Sequence, residues 1–256
     1  MFKTLSKHKF LFEELVKRDF KKKYKRTILG MFWSVLSPLC QLLIMNIVFT
    51  QFFGASMPHF TVYLFAGNIV FSFFSQSTKD GMVSLVANSS VITKINVPKY
   101  LFLLSKNVSG CINFFITIPI FFIFCIIDGI HFGPEFFMLI FPILCLIIFN
   151  VGVGFILSAL YVFFKDIQYL YDIFTMLLMY LSAIFYPITR FPAVAQSLFR
   201  CNPIYVYIDY FRQIVIYNQI PSIKYHLLCM FYAFVVLFVG MLIYKKNNYK
   251  FIYYIA

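Results

Sequence analysis

Residues 136–164 read FFMLIFPILCLIIFNVGVGFILSALYVFF, a run without a single Lys, Arg, Asp or Glu. A helix needs about 20 predominantly apolar residues to cross a hydrocarbon core of about 30 Å, so this stretch is long enough to span a bilayer. Outward from it, runs of the same kind fall near residues 31–53, 61–78, 105–127, 169–186 and 226–244. Turn formers separate them: Gly54 to Pro58, Gly129 to Pro134, and a longer break from Pro187 to Pro221 that holds Pro192 and Pro203. The pattern predicts an all-α polytopic membrane protein of about six transmembrane helices.

Composition leads to the same class. Hydrophobic residues make up 62% and charged residues 12% of the 256, with a mean hydropathy of +0.85; a soluble domain carries about 25% charged residues. A soluble core of this size would still need a polar shell against water, which excludes a water-soluble fold. The six Cys and four His offer neither a C-x-x-C pair nor His at metal-ligand spacing, so no zinc site or disulfide framework is expected. The first ten residues carry Lys3, Lys7 and Lys9 and lack the apolar run of about 7–15 residues of a signal peptide, so no cleavage is expected.

Orientation follows from the basic residues, which are retained in cytoplasmic loops. Ten of them, from Lys3 to Arg26, precede the first run; Lys94, Lys99 and Lys106 lie between the second and third, Lys165 between the fourth and fifth, and Lys245, Lys246 and Lys250 after the sixth. The loop after the first run has none, and the loop after the third has only Asp128 and Glu135. Both termini are therefore expected in the cytoplasm. Before the first run, Leu11, Phe12, Leu15, Val16 and Phe20 recur at helical spacing opposite Lys9, Glu13, Glu14, Lys17 and Arg18. This predicts an amphipathic helix lying in the headgroup plane, with residues 21–26 against anionic lipid. Trp33 follows at the depth of an aromatic belt.

Several function classes find no support. The centres of the six runs hold no ionisable residue, which disfavours proton or sodium coupling. Asp172 and the Lys79–Asp80 pair sit near helix ends, where snorkelling or mutual pairing accounts for them. No Gly-Lys pair exists, hence no phosphate-binding G-x-x-x-x-G-K-[ST] loop. No G-x-S-x-G elbow is present, and the few carboxylates are isolated, so no catalytic or metal-binding set is proposed.

Three segments are more particular than hydropathy requires. Residues 18–38 read RDFKKKYKRTILGMFWSVLSP, residues 91–101 read VITKINVPKYL, and FFKDI, LSAIFYP and NPIYVYIDYFR follow at residues 163–167, 181–187 and 202–212. On physical grounds Val91, Ile92 and Ile95 give a short helix one apolar edge to press into a partner; an ordinary basic loop, with Pro98 opening the next helix, is the alternative. Asp209 and Arg212 stand three apart and are expected to pair on one helix face.

In order and spacing these segments resemble the ABC-2 type polysaccharide exporter permease family, the transmembrane subunits that export O-antigen, capsular polysaccharide or teichoic acid. Lys165 replaces the family's usual Arg, Ala183 its frequent Pro, Asp209 its commoner Glu, and Val97-Pro98-Lys99 its Phe-Pro-Arg. The resemblance implies a single ABC-2 type transmembrane domain over residues 1–256: a basic interfacial segment (1–30), a six-span region (31–244) with short re-entrant external helices between spans five and six, and a cytoplasmic tail (245–256). It implies a transport subunit, not an enzyme, in the bacterial cytoplasmic (inner) membrane. That subunit is a homodimer with a separate ABC ATPase on which ATP and Mg bind, it moves a polyprenyl-diphosphate-linked polysaccharide, and its first and fifth spans line the channel.

The residues so implicated are Val91, Ile92, Lys94, Ile95, Pro98 and Lys99 for coupling to the ATPase. Arg18, Lys22, Lys23, Lys25, Arg26 and Trp33 form the interface helix and an entrance for the diphosphate, whose phosphates Lys and Arg bind by charge and hydrogen bonds; retention of positive charge explains the same residues without substrate. Asn202, Pro203, Asp209 and Arg212 belong to the external re-entrant segment. An ABC-2 permease for drugs or simple lipids, a membrane enzyme acting on lipid-linked sugars, and a non-catalytic scaffold or channel are the competing readings.

Overall fold

The computed structural model describes residues 8–24, 28–53 and 58–255. Every regular element among them is helical. We number the α-helices α1 (Lys9–Tyr24), α2 (Trp33–Phe53), α3 (Phe60–Val83), α4 (Ser89–Ile92), α5 (Tyr100–Ile127), α6 (Ile140–Phe163), α7 (Ile167–Leu181), α8 (Ala193–Phe199), α9 (Pro203–Val215), α10 (Ile223–Asn247) and α11 (Phe251–Ile255).

Each of the six hydrophobic runs coincides with one helix, α2, α3, α5, α6, α7 or α10. Three segments, Tyr100–Ile127, Pro134–Phe163 and Ile223–Asn247, are long and apolar enough by length and composition to cross a membrane. Trp33–Phe49 and Ile167–Leu181 are shorter apolar helices. With 24 residues, α3 reaches about 36 Å at 1.5 Å per residue, yet it is more polar than its neighbours. The reason is its place at the centre: it packs against α2, α5, α6 and α9, and Val62, Leu64, Phe65, Ala66 and Val70 are fully buried. A helix enclosed by protein has no lipid to satisfy, so it tolerates polar side chains that α6 and α10 do not.

The main packing between long helices is α6 against α10. Small residues set its closeness: a Cβ added at Gly152 would lie 2.6 Å from the Leu237 backbone nitrogen and 2.7 Å from its Cα. Without a hydrophobic driving force between helices in lipid, close backbone approach of this kind supplies the association energy.

The helices divide the molecule into two ends. At one, here the basal end, Leu15 of α1, Ile92 of α4, Phe102 and Leu103 of α5, Tyr244 of α10 and Phe251 of α11 share a buried cluster. At the distal end, α9 is buried over most of its length among α3, α6, α10 and the turn Pro134–Leu139.

Helix α1 forms as its spacing predicts, and part of its apolar side packs on α5. Leu15 is buried against α5 while Phe10 remains 79% exposed, because α5 offers an apolar partner at the helix's own height. The fifth run was expected to continue to Tyr186; the helix stops at Leu181 instead. Ala183 takes the left-handed conformation, φ 50°, which ends a right-handed helix as sharply as the family's Pro would. The turn is held from outside, by hydrogen bonds to its carbonyls from α3 and α9.

Candidate functional site

Asp19 organises the basal end. It sits one position after Arg18 on the side of α1 that faces α5, and its side chain is 3% exposed. Arg18 Nη2 and Nε donate to Asp19 Oδ1 at 2.8 and 3.2 Å, Lys106 Nζ of α5 lies 3.3 Å from the same oxygen, and Ser105 Oγ is 3.4 Å from Oδ2. Arg18 Nη2 also donates to Asn88 Oδ1 at 2.6 Å, and Asn88 Nδ2 donates to the Ser84 carbonyl at 2.7 Å. Asn88 closes the turn that leads into α4. One buried carboxylate thus ties the N-terminal helix, the start of α5 and the segment carrying the VITKINVPK motif.

That segment is divided between core and solvent. Ile92 is buried and Val91 partly buried in the basal cluster, so they do not form the expected partner-facing edge with Ile95. Both are turned inward because the helix α4 is a single turn, pressed on α5 by its apolar side. Lys94 is exposed and Ile95 is 43% exposed; with Thr93 and Asn96 they make the outward surface. Pro98 is half-buried just before α5. Lys99 is buried and turned to the tail: its Nζ donates to the Asn248 carbonyl at 2.6 Å and stands 6.0 Å from the centre of the Phe251 ring. Burial pushes its ammonium below the usual lysine range. Of the proposed entrance cations, Lys22 is exposed on the last turn of α1; Lys25, Arg26 and the side chain of Lys23 fall outside the described residues.

Above the basal end, α2, α3 and α5 enclose a cleft of about 540 Å³, with Met179 of α7 at its margin. Its wall combines two chemistries. Amide and hydroxyl groups come from Ser37 and Gln41 of α2, Asn68, Ser72 and Gln76 of α3, and Asn113 and Thr117 of α5. Each set repeats every four residues and so lies along one helix face. Aromatic faces come from Trp33, Phe71, Phe73 and Phe114. Among the described residues that line it there is no Lys, Arg, Asp or Glu. This stripe was present in the sequence as polar residues at i, i+4 within apolar runs; it passes unnoticed because three separate helices contribute to it. Trp33, assigned to an interfacial belt, lines the cleft.

Just past Gln76 along α3, two adjacent contacts join α3 to α7. Lys79 Nζ lies 2.7 Å from Asp172 Oδ1, and Tyr171 Oη donates to Thr78 Oγ1 at 2.6 Å. Lys79 therefore pairs across helices rather than with Asp80, which accepts from Gln76 Nε2 at 2.8 Å. The helical offset of one residue turns Asp80 back toward its own α3 neighbour and leaves Lys79 facing α7.

At the distal end the expected Asp209–Arg212 pair is not formed. Arg212 is buried, and its guanidinium donates to three main-chain carbonyls: Nε and Nη2 to Tyr63 at 3.3 and 3.2 Å, Nη1 to Ala183 at 2.9 Å, and Nη2 to Ile184 at 3.1 Å. Its Cζ lies 3.4 Å over the Tyr63 ring. Tyr63 Oη in turn donates to the carbonyls of Ala183 and Tyr186 at 3.2 and 2.8 Å. Asp209 accepts instead from Tyr225 Oη at 2.6 Å and Gln213 Nε2 at 2.7 Å. The left-handed turn at Ala183 directs two carbonyls at Arg212, and a planar fork of donors satisfies them better than one carboxylate would satisfy the fork. Asn202 caps α9 through Oδ1, which accepts from the Ile204 amide at 3.0 Å, and Pro203 occupies the first helical position. Asn202 Nδ2 reaches back to Ser182 Oγ and the Leu181 carbonyl at 3.0 and 3.2 Å, joining α9 to the end of α7.

Comparison with known proteins accords with this architecture. The sequence model described as ABC-2 type transporter matches residues 11–216. The chain is similar to the O-antigen export system permease protein RfbA of Klebsiella pneumoniae, 28% identical over 247 residues that cover 94% of this chain and 95% of the relative. It is similar to RfbA of Myxococcus xanthus, 24% identical over 226 residues covering 86% and 85%. It is also similar to the polysialic acid transport protein KpsM of Escherichia coli, 24% identical over 240 residues covering 92% and 93%.

Proposed function

The chain belongs to the ABC-2 type transporter family, and on that footing we propose that it is the membrane subunit of an ATP-driven exporter whose cargo is a polysaccharide on a polyprenyl diphosphate carrier. Two copies form the membrane unit, and a separate ATPase binds each copy at the basal end, which faces the cytoplasm of a bacterial cell whose inner membrane holds the complex. ATP and Mg are held by that partner. The relatives' export of O-antigen and polysialic acid supports the cargo class.

The observation that carries this reading is the cleft. A glycan presents hydroxyls that need hydrogen-bond partners once water is stripped away, and apolar C–H faces that lie well against aromatic rings. The wall offers both, over about two to three turns each of α2, α3 and α5. Force from the ATPase would enter at Thr93 to Asn96, and the Asp19 tie would pass it to α1 and α5 as one body. The exposed cation Lys22, on the last turn of α1, would meet the carrier's diphosphate.

Reconstitution of the chain with its ATPase in proteoliposomes tests the reading. ATP-dependent movement of a polyprenyl-diphosphate oligosaccharide to the lumen is expected, and Ser72→Leu with Thr117→Leu should abolish it while the ATPase still co-purifies. Movement of short lipids or drugs without any movement of the glycolipid would refute the cargo class and favour the simpler ABC-2 permease.

A further inference from the structure

Resting on the glycolipid reading above, we infer that Arg18 and Lys106 form the seat for the carrier's diphosphate, one helical turn to the basal side of the cleft. Both cations converge on one oxygen, with Arg18 Nη2 at 2.8 Å and Lys106 Nζ at 3.3 Å from Asp19 Oδ1. Two cations thus share one carboxylate, and these three groups together keep a positive charge. Burial decides from which side they can be met. Asp19 is buried, whereas Arg18 is exposed and Lys106 half-buried. The carboxylate therefore fixes the cations from inside while an anion meets them from outside. A guanidinium has five N–H donors and an ammonium three, more than the contacts to Asp19 and Asn88 use, and phosphate is bound through such donors.

The order of groups along α5 points to the same ligand. Lys106, Gly110, Asn113 and Thr117 follow one another at steps of four, three and four residues, so they share one helix face. The last three line the cleft. From the basal end, that face presents a cation first, then an amide and a hydroxyl. The cargo has the same order, because the diphosphate is bonded directly to the first sugar. Lys106 lies about 6 Å along the axis from Gly110 at 1.5 Å per residue, so a diphosphate seated there delivers its sugar to the start of the cleft. Lys22, exposed and four residues after Arg18, adds a cation on the same side of α1. A phospholipid headgroup also carries phosphate, but it brings no glycan to occupy the adjoining cleft.

Binding of a short-chain polyprenyl diphosphate to the full chain in phosphatidylcholine nanodiscs tests the seat, with phosphatidylglycerol added as competitor. Saturable binding is expected, weakened about tenfold or more in Lys106→Gln and in Arg18→Gln. These cations also seat α1, so Asp19→Asn separates ligand binding from helix packing. It removes the opposing charge and keeps an acceptor, and should tighten diphosphate binding by about tenfold; a purely structural cluster would bind more weakly. Equal or weaker binding in Asp19→Asn, or unchanged binding in Lys106→Gln, would overturn the seat and leave glycolipid export standing. Displacement of the probe by phosphatidylglycerol at equal concentration would assign the cations to membrane phospholipid and overturn the carrier as their ligand. The expected pattern of variants in a complex that hydrolyses ATP yet moves no glycolipid would uphold the seat and refute the export reading.

Discussion

Removal of the Asp19 carboxylate is expected to undock the N-terminal helix from the rest of the molecule. Deleting one partner of a buried ion pair costs about 3–5 kcal/mol when the survivor is left dry. Here the survivors are less enclosed, with side-chain exposures of 18% for Lys106 and 43% for Arg18. Water recovers part of the loss, so we expect about 2–3 kcal/mol for Asp19→Ala. At 1.4 kcal/mol per decade this is an increase of about 30- to 140-fold in the opening equilibrium of α1. Hydrogen exchange of the α1 amides in lipid nanodiscs reads that equilibrium directly, since local opening governs exchange. Leu15→Ala serves as comparison, because Leu15 supplies the buried apolar contact of the same helix and its truncation should cost about 2–5 kcal/mol. Asp19→Asn keeps the volume and isolates the charge. The double variant Asp19→Ala/Lys106→Ala should lose less than the sum of the single changes, as coupled neighbours do. Unchanged α1 exchange in Asp19→Ala, with faster exchange in Leu15→Ala, would mean that apolar packing alone seats the helix and that the carboxylate ties nothing.

Other changes test the remaining contacts. Arg212→Lys keeps the charge but loses the planar fork that serves three carbonyls, and should lower stability by about 3 kcal/mol; an unaltered thermal midpoint in detergent would refute the role of Arg212 in fixing the end of α7. At Ala183, whose φ is 50°, Gly should stabilise by about 1 kcal/mol, while Pro, fixed near −65°, should destabilise despite its frequency at this place in the family; the opposite order of midpoints would refute the left-handed turn. Gly152→Ala would set a methyl group against the Leu237 backbone, which cannot swing aside as a side chain can, so a loss of about 1–3 kcal/mol is expected. A midpoint within error of the wild type would contradict the close α6–α10 crossing. Charge exchange in Lys79→Asp/Asp172→Lys should restore export lost in either single variant, if the 2.7 Å pair holds α7 to α3; failure of rescue beside normal membrane insertion would count against it.

Much of the architecture was written in the chain as hydropathy and turn chemistry. Six apolar runs became six helices because a backbone in lipid must satisfy its own hydrogen bonds, and a continuous apolar run has no other way to do so. The Asn-Pro pair at 202–203 likewise sufficed to start α9, since a capping side chain and a preset φ act within a few residues. What failed was pairing. Spacing alone suggested Asp209 with Arg212, Lys79 with Asp80, and Val91 and Ile92 with Ile95 on an outer edge; in each case a partner from a distant segment won, namely the Ala183 and Tyr63 carbonyls, Asp172, and the core around Phe102. Local spacing states which groups are able to meet, whereas the identity of a buried group's partner depends on which surfaces the packed helices bring within 3 Å. The neutral cleft belongs to the same category. Ser37, Asn68 and Asn113 each look like a minor interruption of an apolar helix, and only the packing of α2, α3 and α5 turns them toward one space. The sequence by itself therefore determined that this protein lives in a membrane, which stretches form its long helices, and where its positive charge is concentrated along the chain. The tertiary structure alone decided that Asp19 and Arg212 are its two buried anchors, because the partners from other helices, Lys106 for Asp19 and the Tyr63, Ala183 and Ile184 carbonyls for Arg212, lie tens of residues away and are selected by geometry.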